Sequence, residues 1–92
     1  MDYSGRNLKI MSIEQVPSSL RDLLADIFEV TPEQITTELS METVENWDSF
    51  RHLQVILAME EEYGVQFDPK RIPELTSVGL LQAELTKKGA AL

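Results

Sequence analysis

Leu20, Leu23, Leu24, Ile27 and Phe28 fall at i, i+3, i+4, i+7 and i+8, one continuous apolar stripe of helical period. Arg21, Asp22, Asp26 and Glu29 occupy the other side. Pro17-Ser18-Ser19 reads as the start of this helix, and Pro32 predicts its end near Val30 by restricting Thr31. A second helix is predicted from about Asp48 to Tyr63, roughly 22–24 Å at a rise of 1.5 Å per residue. Gly64 is the natural residue just past its end. A third is predicted from Thr76 or Ser77 to about Lys88. Val78, Leu81 and Leu85 are its core stripe, with Leu80 alongside. Lys87 and Lys88 suit the negative end of its dipole, and Gly89 terminates it.

Residues 31–47 form a long connection. Thr31-Pro32-Glu33 has the form of an N-cap followed by proline at the first helical position, which predicts a short turn. Ile35, Leu39, Val44 and Trp47 are spaced to anchor the segment on a core. An ordered loop of this length is uncommon and often functional. Val65-Gln66-Phe67 reads as a short extended link, and Asp68-Pro69-Lys70-Arg71-Ile72 as a capped turn of helix stopped by Pro73. The chain shows no useful β alternation and no internal repeat. The expected fold is all-α, a small four-helix bundle of three main helices and one short one, with a long loop between the first and second. Residues 1–17 are expected to be a flexible tail, 18–89 the folded domain and 90–92 a C-terminal tail.

At 92 residues the chain makes one small domain. A domain of this size buries only about 60–65% of its unfolded surface, so its stability should be modest. The longest apolar run is Val55-Ile56-Leu57-Ala58-Met59, far short of the roughly 18–20 residues of a membrane span. The first residues contain no apolar block of secretory type. There are no cysteines, which excludes disulfides, thiolate metal sites and thiol nucleophiles and fits a reducing cytoplasm. The net charge is −8. Asp2 and Glu14 balance Arg6 and Lys9, so all of it lies on residues 18–92. Asp26, Glu29, Glu33, Glu38, Glu42, Glu45 and Asp48 follow one another with no lysine or arginine between them. Such a surface opposes the phosphate backbone, so nucleic acid is disfavoured as a partner and none is expected. A basic protein partner is favoured by steering and rim contacts.

The second helix has two apolar sides. His52, Val55, Ile56, Met59 and Tyr63 cluster on one. Phe50, Leu53 and Leu57 cluster nearly opposite, with Gln54, Glu60 and Glu61 beside them. One apolar face suffices to join a small bundle. The second is either covered by the long loop or exposed as an acid-rimmed docking patch. Glu60-Glu61-Glu62 lie in the last turn, where the dipole is already negative, so each costs up to a few tenths of a kcal/mol. A local rule broken without evident compensation points to function.

Ser49 sits at the start of this helix, directly after Asp48. Ser and Asp at helix starts usually cap free N–H groups. With Asp48 as the cap, Ser49 takes the first helical position and its hydroxyl faces solvent. A phosphodiester attached there would meet free N–H groups and the positive end of the dipole.

Trp47-Asp48-Ser49-Phe50-Arg51-His52-Leu53, running on to Phe67, resembles the modification site of acyl carrier proteins. The likeness covers about residues 18–88. Its most specific parts are Asp48-Ser49-Phe50, Leu53, Leu57 through Gly64, and Phe67. The resemblance implies that Ser49 carries 4′-phosphopantetheine, added from coenzyme A by a phosphopantetheinyl transferase that recognises Asp48. The arm's thiol would hold acyl groups as thioesters, giving a chain without cysteine its thiol chemistry. The resemblance also implies that Phe50, Leu53, Gln54, Leu57, Glu60 and Glu61 contact acyl-transferring and acyl-modifying enzymes through their basic patches. A stand-alone, monomeric, cytoplasmic carrier is expected, with the core between the helices hosting part of a short acyl chain, lined by residues such as Val55, Met59 and Leu81.

Two residues depart from the pattern. Arg51 and Gln54 stand where fatty-acid carriers usually have acids, which points to a dedicated partner set in polyketide, lipid or D-alanyl transfer. Asn46-Trp47-Asp48 lacks the glycine-rich approach of peptidyl carriers, and the bulk of Tyr63 and Met59 narrows any acyl cavity. Catalysis and metal binding find little support. His52 falls on the core face and is read as a satisfied buried histidine. A Ser49–His52 dyad is read as geometrically poor, with no third orienting group. The three consecutive glutamates point different ways and match no calcium loop. An unmodified helical adaptor, using the same patch to bind basic proteins, is the alternative reading.

Overall fold

A computed structural model describes residues 16–90 and 92. Among these residues there are three α-helices: α1 (Ser18–Phe28), α2 (Ser49–Tyr63) and α3 (Val78–Lys87). Two single 3-10 turns accompany them, Pro32–Gln34 after α1 and Ile72–Glu74 before α3. Among the described residues there is no strand, only an isolated bridge between Ser40 and Ser77. The all-α bundle with a long α1–α2 loop is therefore the fold, with its short helix reduced to a 3-10 turn.

The core follows the predicted stripes. Leu20, Leu24 and Phe28 of α1, Val55, Ile56 and Met59 of α2, and Val78, Leu81 and Leu85 of α3 are buried together. Ile35 and Trp47 anchor the long loop in this core, and Leu39 and Val44 pack partly against it. Val16 is also a core residue, so the packed chain begins before residue 18. The rest of the proposed tail, residues 1–15, lies outside the described residues. At the other end Ala90 still packs against the core, beyond the expected limit at residue 89. Leu80 turns away from the core stripe of α3 and is 46% exposed.

Two element boundaries differ from the sequence expectation. α1 ends at Phe28, because Glu29 adopts the left-handed conformation (φ 61°) and its N–H returns to the Ala25 carbonyl. Val30 N–H donates to the same oxygen at 3.0 Å. Pro73 does not stop the short turn but stands within it. A first-turn position needs no N–H, so proline is tolerated there. Asp68 organises the approach to this turn: its carboxylate accepts from Lys70 N–H at 3.0 Å and its carbonyl from Arg71 N–H at 2.8 Å.

The long loop is held at both of its neighbours. Beside α1, Gln34 Oε1 accepts from Thr31 N–H at 3.0 Å and closes the first 3-10 turn. Beside α3, the Leu39 carbonyl accepts from Val78 N–H at 2.9 Å and the Thr37 carbonyl from Gly79 N–H at 3.0 Å. Ser77 Oγ accepts from Leu80 N–H at 3.1 Å. These three bonds satisfy the first free amides of α3, which a helix cannot satisfy itself. The approach explains Gly79, since a Cβ there would lie 3.1 Å from the Thr37 oxygen.

Candidate functional site

The start of α2 is arranged differently from that of α3. Asp48 is extended (φ −103°, ψ −174°) and is the N-cap. Its Oδ1 accepts from Arg51 N–H at 2.9 Å, and its carbonyl accepts from His52 N–H at 2.8 Å. Among the described residues no loop carbonyl accepts from the Ser49 or Phe50 amides at the positive end of the helix. The Ser49 side chain is exposed and makes no hydrogen bond among the described residues. Capping therefore falls to Asp48, and the serine hydroxyl is free.

Beside Ser49 lies a mainly apolar cleft of about 340 Å³, lined by Met41, Ser49, His52, Leu53, Ile72 and Pro73. Val55, Met59 and Leu81, expected to line a space for cargo, are completely buried in the core between the helices. Trp47 Nε1–H donates to His52 Nδ1 at 3.0 Å. An indole nitrogen can only donate, so Nδ1 carries no proton and the imidazole proton is on Nε2. Nε2–H then donates to the Ile72 carbonyl at 2.8 Å. His52 is thus buried and satisfied, as its place on the core face suggested. It joins the loop, α2 and the second 3-10 turn beside Ser49.

Of the expected contact residues, Phe50, Leu53 and Leu57 are exposed by 72%, 53% and 64%. The long loop does not cover them. Gln54 and Glu61 are exposed beside them. Glu60 is different: it is half-buried, and its Oε2 accepts from Phe67 N–H at 2.8 Å. This carboxylate closes the turn after Gly64 (φ 65°), so its unfavourable place at the helix end has a structural compensation that the sequence did not reveal.

The departure at Arg51 also has a structural reason. Arg51 is half-buried and its guanidinium donates to the Ile27 carbonyl at 2.8 Å. Asn46 Nδ2 donates to the neighbouring Phe28 carbonyl at 3.0 Å. Together they satisfy two carbonyls at the C-terminus of α1, where a positive charge also complements the dipole. Sequence reasoning missed this pair, whose only signal was an asparagine and an arginine flanking the Asp48-Ser49 step.

The chain as a whole has relatives among known proteins. An acyl carrier protein of Lactobacillus acidophilus is 30% identical over 69 residues, covering 75% of this chain and 86% of that protein. The chain belongs to the acyl carrier protein family. An acyl carrier protein of Thermosynechococcus vestitus is 29% identical over 68 residues, 74% of this chain and 84% of that one. The fold agrees with the solution structure of a holo acyl carrier protein from Geobacter metallireducens. The TM-score is 0.68 at 27% identity, over 76% of this chain and 80% of that chain. No family model matches the chain. Family membership makes the chain a carrier rather than an enzyme. Among the described residues no cluster of three or more potential ligands could hold a metal ion. None of the described helices is long and apolar enough to cross a membrane.

Proposed function

We propose that this acyl carrier protein is modified on Ser49 with 4′-phosphopantetheine and presents cargo to biosynthetic enzymes through the exposed side of α2. The supporting observation is the division of labour between Asp48 and Ser49. Asp48 takes the cap, and Ser49 keeps an exposed hydroxyl that, like the Ser49 and Phe50 amides beside it, has no hydrogen-bond partner among the described residues. A phosphodiester suits that place, because free N–H groups and the dipole stabilise an anion. The residues present therefore fit the group. When bound, the group supplies a terminal thiol on which an acyl chain is held as a thioester.

The chain's own residues do the rest. Asp48 fixes the helix start and offers the modifying transferase a carboxylate beside the target hydroxyl. Phe50, Leu53 and Leu57 supply the apolar centre of a docking surface, with Gln54 and Glu61 at its rim. A net charge of −8 steers partners that carry basic patches. Arg51 turns its charge toward α1, which leaves the rim less basic than the sequence alone suggests.

The modification is tested by incubating the purified chain with coenzyme A and a broad-specificity phosphopantetheinyl transferase, followed by intact mass measurement. One pantetheinyl adduct is expected, absent in Ser49→Ala. No adduct with several transferases overturns the reading in favour of an unmodified adaptor.

A further inference from the structure

A recess of about 640 Å³ lies between the turn that follows α2 and the C-terminal end of α3. Arg71, Lys87 and Lys88 line it, with Asp68 and Glu84. Three cations against two carboxylates is a local reversal of sign in a chain of net charge −8. Both carboxylates already have partners. Glu84 accepts from Arg71 Nη2 at 3.0 Å, and Asp68 accepts from Lys70 N–H at 3.0 Å. Lys87 and Lys88 are exposed and form no ion pair among the described residues. Their place at the end of α3 suits its dipole, an interaction that leaves both ammonium groups open to water. Gln66 and Asp68, also in the lining, carry backbone N–H groups with no partner among the described residues. The recess therefore brings together charged and neutral donors that nothing in the fold uses.

We propose that this recess docks an acidic segment of a partner protein, separately from the exposed side of α2. A narrow segment suits it better than a broad polyanion. Glu61 and Glu62 are exposed and shortly precede Gly64, which lines the recess. An anionic membrane or a nucleic-acid duplex wide enough to cover the recess would also face these glutamates, within the ~8–10 Å over which salt leaves charge unscreened. One extended segment can set its carboxylates on Lys87 and Lys88 and its remaining oxygens on the free amides. None of the exposed large apolar residues, Phe50, Leu53, Leu57, Leu80 and Leu92, lines the recess, so it offers a bilayer nothing to insert. The 15 residues of α2 put about 22 Å between Ser49 and the recess end of the helix, at 1.5 Å per residue. That exceeds the screening length, so charge at one end has little effect on binding at the other. A partner can hold the basic end while the start of α2 is engaged elsewhere, and the inference does not depend on modification of Ser49.

Amide NMR titration of the full, unmodified chain tests the proposal, with a hexaglutamate peptide capped at both ends as the probe. The Gly64, Gln66, Asp68, Lys87 and Lys88 amides should shift and saturate, while those of Ser49, Phe50, Leu53 and Leu57 stay in place. Added salt should weaken the binding, and a capped hexaglutamine peptide should leave the spectrum unchanged. Lys87→Gln/Lys88→Gln should weaken hexaglutamate binding by about tenfold or more, or 1.4 kcal/mol. Both lysines are exposed, so this variant keeps the fold, and its unperturbed amide spectrum away from the recess verifies that. Lys87→Arg/Lys88→Arg should bind as the wild type does. Arg71 is left unchanged because it holds Glu84. Two further arms separate the other anions. Inorganic pyrophosphate should shift the same amides much more weakly than the peptide, and vesicles of phosphatidylglycerol should not broaden them. No shift at millimolar peptide, shifts centred outside the recess, or equal binding by the glutamine variant would overturn the proposal. So would pyrophosphate binding as tightly as the peptide, which makes the recess a small-anion site, or vesicle binding lost in the glutamine variant, which makes it a membrane contact.

Discussion

Trp47 Nε1–H donates to His52 Nδ1 at 3.0 Å, across two buried side chains whose ring centroids lie 5.8 Å apart. Trp47 also packs against Phe28 of α1, centroid to centroid 4.9 Å. One indole therefore connects α1, the loop end that precedes Ser49, and α2. Trp47→Phe keeps most of the apolar contact but leaves a buried acceptor on His52 without its donor. A loss of about 1–3 kcal/mol in unfolding free energy is expected from urea titration. A change within roughly 0.5 kcal/mol, the usual size for an uninvolved surface site, would show that the bond contributes little.

Glu84 of α3 is buried and its Oε1 accepts from Arg71 Nη2 at 3.0 Å. Arg71 also reaches Glu74 at 2.7 Å. The hydrogen bond from Arg71 holds the Glu84 carboxyl below the ordinary glutamate value. Arg71, Lys87 and Lys88 add attraction, against an opposing cost of burial. A group whose folded pKa is lowered contributes stability above its unfolded value, about 4.3, and loses it as pH falls through the folded value. The stability gap between wild type and Glu84→Gln should be largest near neutral pH and close in strong acid. A gap unchanged from neutral pH to about pH 3, or one that widens on acidification, would contradict this assignment.

Glu60 and Glu61 are neighbours with different duties. Glu60 accepts the Phe67 N–H, whereas Glu61 is exposed. Glu60→Ala should cost about 1–2 kcal/mol of stability through the lost charge-assisted bond. Glu61→Ala should stay within about 0.5 kcal/mol. Equal losses at the two sites, measured by chemical denaturation, would remove the distinction.

Phe50 and Leu57 are large apolar side chains with most of their surface in water. Phe50→Ala and Leu57→Ala should each change stability by less than about 0.5 kcal/mol while weakening capture by a cognate enzyme at least about tenfold, or 1.4 kcal/mol. Calorimetric titration against such an enzyme measures the second effect. Wild-type affinity in both variants would take the docking surface away from α2.

These contrasts also mark how far the chain could be read from its residues. The stripes of α1, α2 and α3 were legible because they are local and periodic. So was the capping role of Asp48, which needs only the next three residues. Ile35 and Trp47 were legible as anchors because large apolar residues in a polar loop have few other uses. The contacts that shape the site were not legible, because they join distant positions. Asn46 reaches a carbonyl 18 residues away and Arg51 one 24 residues away. Pro73 illustrates the same limit: whether proline ends a turn or opens one depends on what packs against it, here the His52 bond to Ile72.

Peptide-level mass spectrometry of the chain isolated from its own cells tests the tether most directly. The peptide containing Ser49 should carry pantetheinyl phosphate on that serine, with any acyl group released from it by hydroxylamine. A population with Ser49 unmodified throughout, in cells whose other carriers are loaded, would contradict the account.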